Sequence, residues 1–229
     1  MRMRKKKHLE ERLSEVSDIL FISNFEDRNF NTAIKTPEYI DFDAWFGRKA
    51  PLIIEVGCGK GGFAAEYAQR YPNINFIAVE KDANVIVSAC ETAKERDCRN
   101  LRFIKCGAEY LPKYIKPSSV ELIFLNFSCP FPKNNYASHR LTHKNFLKIY
   151  KTLMKPNAEI HQKTDNRGFF EFSLESFSQN GFILKNISLD LHKSGFEDNI
   201  ETEYEHKFAS LGLPIYRLEA YLEDKGTLI

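Results

Sequence analysis

Ile53-Ile-Glu-Val-Gly-Cys-Gly-Lys-Gly-Gly-Phe63 decides the fold. A short apolar run carrying one acid runs into a cluster of glycines, and Phe63 opens a stretch suited to a helix. Gly57, Gly59 and Gly62 make G-x-G-x-x-G, a pattern that permits a tight turn and close approach of a ligand to the backbone at the carboxyl end of a first strand. Outward from this turn, short apolar strands alternate with amphipathic segments. Strands are predicted over 51–56, 74–79, 101–105, 120–126 and 158–162, and helices over 62–71, 84–94, 142–154 and 167–179. Continuous β-branched and aromatic runs between helices indicate a sheet covered on both faces, so the fold class is α/β, doubly wound and mostly parallel. Residues 182–191 and 213–222 read as two late strands with no clear helix between them, which suggests an antiparallel edge pair at the C-terminal end. Leu9, Leu13, Val16 and Leu20 recur at helical spacing in a basic arm over 1–50, and Pro51 marks the start of the domain over 51–229.

Composition limits the function classes. The 229 residues are 43% hydrophobic and 28% charged, with a formal net charge of +2; that suits one generous domain, or one domain with an arm. No apolar run approaches the roughly 20 residues needed to span a bilayer. Met1-Arg-Met-Arg-Lys-Lys-Lys-His8 is basic, but Leu9-Glu-Glu-Arg-Leu-Ser-Glu15 occupies the place of a signal's apolar core, so export is not expected. Five cysteines, at 58, 90, 98, 106 and 129, form no C-x-x-C pair; neither a disulfide framework nor a zinc site is expected, and the compartment reads as reducing cytoplasm. Charge is unevenly distributed. Residues 122–158 contain no acid but carry Lys133, Arg140, Lys144, Lys148, Lys151 and Lys155, a candidate polyanion surface to which Arg2, Arg4 and Lys5–Lys7 of the arm add. Glu197–Glu205 holds five acids in nine residues.

Two carboxylates refine the glycine-rich turn. Glu55, at the strand's end, suits a positive ammonium or sulfonium and would repel a pyrophosphate. Glu80 ends the second strand 23 residues after Gly57, where a carboxylate accepts from ribose hydroxyls. The pair favours a cationic, ribose-bearing cofactor, S-adenosylmethionine (SAM), over NAD, although the glycines alone serve either, and Glu80 could be an exposed strand-end acid.

On the substrate side, Asn126-Phe-Ser-Cys-Pro-Phe-Pro-Lys133 leaves the fourth strand at the sheet's carboxyl edge. Its prolines stiffen the loop around Phe131 and Lys133, a ring and a cation suited to a base and a phosphate; the alternative is that Phe131 plugs the core. Asn135, Tyr136, Ala137, Ser138, His139 and Arg140 follow as a polar, acid-free RNA-contact candidate. His139 and His143 share a helical face if the helix begins early enough, and no third ligand makes them a metal pair. Asp165 is either the N-cap of the next helix or a carboxylate facing substrate. Thr202, Glu203, Tyr204 and Glu205 supply further acceptors, and guanine's N1–H and N2–H2 are donors that a carboxylate can accept as a pair.

Five motifs in order carry a resemblance: E-V-G-C-G-K-G at 55–61, N-F-S-x-P-x-P-K at 126–133, R-L-T at 140–142, K-T-D-N at 163–166 and T-E-Y-E at 202–205. The chain resembles the bacterial tRNA (guanine-N7)-methyltransferase family. That resemblance implies a Rossmann-like methyltransferase sheet, SAM as methyl donor and the variable-loop guanosine 46 of tRNA as acceptor. By position it makes Glu55, Gly57, Gly59, Glu80, Cys106 and Cys129 cofactor contacts. It gives Lys133, Asp165 and Thr202–Glu205 to the substrate and residues 135–140 to RNA. Cys129 stands where most members have the Asp usually assigned as the active-site residue, Cys106 stands at the usual acidic position after the third strand, and Phe131 replaces the loop's usual Trp. The expected protein is a cytoplasmic enzyme, monomer or homodimer, without metal or membrane partner. A catalytically weak tRNA-binding member and an NAD-dependent oxidoreductase are the alternatives.

Overall fold

The computed structural model describes residues 6–23 and 35–223 and divides into two compact units, Met1–Lys116 and Pro117–Ile229. Arg2, Arg4 and Lys5 of the basic arm lie outside the described residues.

The first unit runs α1 (Leu9–Glu15), β1 (Leu20–Ile22), α2 (Phe42–Phe46), β2 (Leu52–Val56), α3 (Gly62–Arg70), β3 (Asn75–Glu80), α4 (Ala83–Glu95), β4 (Leu101–Lys105) and α5 (Leu111–Tyr114). Its strands pair in parallel in the order β1-β4-β3-β2. All five residues of β2 and the first five of β3 are buried, which is why these segments read as continuous apolar runs rather than alternating ones. Leu20, grouped by periodicity with the arm's helix, instead begins β1 opposite Phe103. The arm's helix is correspondingly short, and its partner is α4: Arg12 reaches both oxygens of Glu91 at 2.6 and 2.7 Å, and Lys94 donates to the Glu15 carbonyl at 2.7 Å.

The second unit runs β5 (Val120–Asn126), a 3-10 turn over Asn134–His139, α6 (Lys144–Leu153), β6 (Met154–Thr164), α7 (Arg167–Gln179), β7 (Ile183–Ser188), α8 (Glu203–Ala209) and β8 (Tyr216–Tyr221). Its strand order is β5-β6-β8-β7, with β5 and β6 parallel and β8 antiparallel to both neighbours. The antiparallel pair expected at the C-terminal end is present. Contrary to the expectation of no helix between those strands, α8 lies between them, preceded by a 3-10 turn at Leu191–Lys193. In α6, Leu147, Ile149, Tyr150 and Leu153 are buried while Lys144, Lys148 and Lys151 are exposed, so part of the acid-free stretch is the outer face of an amphipathic helix.

Candidate active site

The glycine-rich turn is built by backbone bonds between β2 and β3. The amides of Gly57 and Cys58 both donate to the Val79 carbonyl, at 2.8 and 3.0 Å, and the Gly61 amide donates to Cys58 O at 3.0 Å. Gly57, Gly59 and Gly61 have φ of +85, +57 and +78°, the left-handed region that glycine enters without a Cβ penalty. A Cβ on Gly59 would meet nothing within 4 Å, whereas one on Gly61 would sit 2.7 Å from the Ala89 Cβ of α4. The turn thus has an open side at Gly59 and a close-packed side at Gly61. Gly61, rather than the Gly62 of the sequence pattern, carries the left-handed conformation.

Glu80 is tied into the same turn. Its Oε1 accepts from the amides of Lys81 (2.8 Å) and Asp82 (3.0 Å), and its Oε2 from Gly59 N (3.4 Å), so the carboxylate is oriented by backbone at the strand's end. Asp82 then caps α4 through Asn84 N at 2.8 Å. Glu55 is buried within β2. Cys106, just past β4, is also buried, and burial holds its thiol well above the usual range, as it does that of Cys58. Neither thiol is poised for reaction as a thiolate.

In the second unit the Pro-rich loop opens with Phe127, whose amide donates to Lys163 O at 2.9 Å. Phe127 and Phe131 have φ of +48 and +41°; for bulky residues this conformation costs about 1–3 kcal/mol each and is held by its surroundings. Cys129 is exposed, whereas the other four cysteines are buried. The Phe127 ring lies 5.3 Å from that of Tyr204, which stacks in turn on Phe208 at 4.5 Å. Tyr204 is 47% exposed, and burial of its hydroxyl together with the fields of Asp165 and Cys129 raises its pKa. Loop, β6 terminus and α8 therefore bring Cys129, Asp165 and Tyr204 into one neighbourhood.

Asp165 does not cap α7. Asn166 does, its Oδ1 accepting from Phe169 N at 2.8 Å, so the capping alternative for Asp165 falls. Thr202 caps α8 through Glu205 N at 2.9 Å, half of a capping box that T-x-x-E spells in the sequence. Glu205, expected to meet substrate, is 0% exposed. Its Oε2 accepts from Lys163 Nζ at 2.6 Å, and its Oε1 from Asn199 Nδ2 at 2.7 Å with His192 Nε2 3.3 Å away. Lys163, itself 6% exposed, also donates to Asn199 Oδ1 (3.0 Å) and Ile200 O (2.8 Å). This buried cluster, which no local pattern in the sequence announces, ties the end of β6 to the segment leading into α8. Glu203 lies exposed on the first turn of α8.

The RNA-contact candidates occupy the 3-10 turn. Asn135, Tyr136, Ser138 and His139 are exposed, and Ala137 is half-buried. The rings of Phe131 and Tyr136 flank His139 at 5.6 and 5.9 Å. His139 closes the turn while His143 caps α6 through Asn145 N at 3.3 Å, so the two histidines do not share one helix. Lys133 is exposed. Arg140 is buried, with its donors on the carbonyls of Pro130 and Phe131.

Away from this edge, Glu159, His161 and Glu219 place their ligand-type atoms within 4.8 Å of one another. Lys185 pairs with Glu159 and Arg217 with Glu219, so the chain's own cations already compensate those acids.

A glycine-rich turn that follows a buried parallel strand and opens a helix is the build of an α/β domain for a nucleotide-type ligand. Solved structures match it in fold. A precorrin-6y C5,15-methyltransferase from Geobacter metallireducens superposes with a TM-score of 0.54 at 13% identity, covering 90% of this chain and 95% of that one. The 16S rRNA methyltransferase KamB gives 0.54 at 15% identity, covering 87% and 95%. A family model described as "Putative methyltransferase" matches residues 49–218. A tRNA (guanine-N(7)-)-methyltransferase of Macrococcus caseolyticus is 44% identical over 96% of this chain and 99% of its own length. That of Bacillus subtilis is 43% identical over 96% and 98%. The chain belongs to the tRNA (guanine-N(7)-)-methyltransferase family. Nothing in these matches supports the oxidoreductase alternative.

Proposed function

We propose that this chain transfers a methyl group from SAM to N7 of guanosine 46 in tRNA, in the cytoplasm. The observation that carries the reading is end-to-end similarity to relatives named for guanine-N7 methylation of tRNA. The open side of the turn at Gly59 and the backbone-oriented Glu80 carboxylate fit a ribose-bearing cofactor, with Glu55, Gly57, Cys106 and Cys129 as further candidate contacts. SAM supplies an electrophilic methyl carbon on a sulfonium.

The rest falls to orientation. Guanine N7 has a lone pair and no proton, so no general base is needed to make the nucleophile. N7 bonds to the methyl carbon as the carbon–sulfur bond breaks and sulfur keeps the electron pair. The chain must hold the atoms nearly in line, about 3 to 3.5 Å apart. Asp165 is the candidate for accepting from guanine's N1–H and N2–H2, a reading supported by Asn166 and not Asp165 capping α7. It also offsets the positive charge that the purine acquires. The ring of Tyr204, backed by Phe127, offers a stacking face. Lys133 and the exposed 3-10 turn meet the RNA backbone.

The direct test is transfer of tritiated methyl from SAM to unmodified tRNA, with digestion to identify the nucleoside. 7-methylguanosine at position 46 is the expected product; a different nucleoside, or no transfer by folded protein, overturns the reading.

A further inference from the structure

The Pro-rich loop sets two aromatic residues, Phe127 and Phe131, in a left-handed backbone conformation, and something must keep them there. Arg140 is placed to do so. Its side chain is 8% exposed. Nε donates to Pro130 O at 3.0 Å and to Phe131 O at 3.3 Å, and Nη2 donates to Phe131 O at 3.0 Å. The guanidinium plane rests 4.4 Å above the Phe172 ring of α7. Two residues further on, the fully buried Thr142 ties the same strand of chain to α7. Its hydroxyl and that of Ser173 are 2.8 Å apart, and Ser176 Oγ donates to Thr142 O at 2.6 Å. An arginine serving a phosphate turns its donors to solvent; this one turns them inward, onto the loop that carries Cys129.

We infer that Arg140 is a positioning residue: it fixes the Phe131 carbonyl, and through it the loop over 127–133, from the platform of α7, and it does not read the RNA backbone. Lysine cannot replace it, because an ammonium lacks both the planar fork that serves two carbonyls and the flat face that stacks on Phe172. The rate prediction rests on the methyl-transfer reading proposed above; the exchange measurement does not.

Arg140→Lys keeps the charge and removes the fork. It is expected to lower kcat for methyl transfer on the order of 10- to 100-fold with KM for tRNA little changed. Hydrogen–deuterium exchange in the peptide over 127–133 should accelerate, and in the charge-removing Arg140→Gln the slope of log affinity for tRNA against log salt should stay at the parent value. Phe172→Leu leaves Arg140 in place and should move kcat and exchange in the same direction by less. Arg140→Lys at the parent rate, or an Arg140→Gln salt slope reduced by about 0.7 to 0.9 with loop exchange unchanged, overturns the inference. Should Arg140→Lys fail to fold, Phe172→Leu decides, and parent values of both kcat and loop exchange would overturn it. If the parent protein transfers no methyl group, the functional reading fails and the exchange arm still decides the role of Arg140.

Discussion

Cys129 occupies the position where the family's usual active-site carboxylate is expected, yet it is an exposed thiol whose field, like that of Asp165, reaches Tyr204. Because N7 is already a nucleophile, methyl transfer does not depend on a base or a covalent sulfur at this position. Cys129→Ala and Cys129→Ser are expected to keep measurable transfer. Asp165→Ala should lose far more, since a bidentate contact to a base edge is worth about 1–3 kcal/mol of discrimination. Rates of the three variants at saturating SAM test this, and an inactive but folded Cys129→Ala that still binds tRNA would show that the sulfur participates. On the cofactor side, the Glu80 carboxylate accepts from Gly59 of the turn and from Lys81 and Asp82 just after β3. Glu80→Ala should therefore weaken SAM and S-adenosylhomocysteine alike, because they share the ribose. Calorimetry showing unchanged affinity for both would remove Glu80 from the site.

At the scale of elements, the join between β6 and the segment entering α8 is a buried ion pair rather than an apolar contact. Lys163 and Glu205 meet at 2.6 Å with almost no exposure. Removing one partner leaves the other charged and buried, at a cost of about 3–5 kcal/mol. That is a large fraction of a typical net stability of about 5–15 kcal/mol. Lys163→Met should therefore destabilise strongly, and the double variant Lys163→Met/Glu205→Leu should recover most of the loss because no charge is then stranded. Denaturant titrations of the two compare directly; a double variant no more stable than the single one would contradict this account. Three of the four residues of the T-E-Y-E motif are thus divided between duties: Thr202 and Glu205 organise the helix start, and Tyr204 presents its ring.

For the whole molecule, the acidic limit of stability follows from the cluster on β6 and β8. Burial lowers the pKa of His161 despite its bond to Glu159. Burial pushes Glu159 and Glu219 upward, but Glu159 is lowered overall by hydrogen bonds from His161 and Lys185, and Glu219 by His161, Asn186 and Arg217. All three bind fewer protons folded than unfolded, so stability rises with pH. The His161 contribution fades as pH falls below about 6.5, and the glutamate contributions follow below about 4.5. Melting temperature should fall through this range, and His161→Gln should flatten its upper part; a parent melting temperature constant between about pH 7 and 5 would contradict it. The basic surface acts at the same scale. Lys133, Lys144 and Lys148 are exposed, whereas Lys151 donates to Asn180 O and Lys155 pairs with Glu121. Substituting Gln at the first three should reduce tRNA affinity and flatten its salt dependence by about 0.7 to 0.9 for each phosphate no longer neutralised, a result that filter binding across a salt series would show or refute.

The sequence by itself determined the α/β class, the order of its main strands and helices, the glycine-rich turn with Glu80 beyond it, and the family. Each of these is written in local periodicity or in contiguous motifs, as in the five buried residues of β2 and the 13 residues of α7. The short β1 and α8 escaped because three or seven residues hold too little periodic signal to outweigh their neighbours, although T-x-x-E did announce the start of α8. Tertiary structure alone decided which polar residues face inward. Glu205 is sealed against Lys163, and Arg140 turns its donors onto the Pro-rich loop. The partner of Glu205 lies 42 residues away, at Lys163, and those of Arg140 lie 9 and 10 residues away, at Phe131 and Pro130. A buried charge takes its role from the partner that neutralises it, and pairing across such separations exists only once the chain has folded.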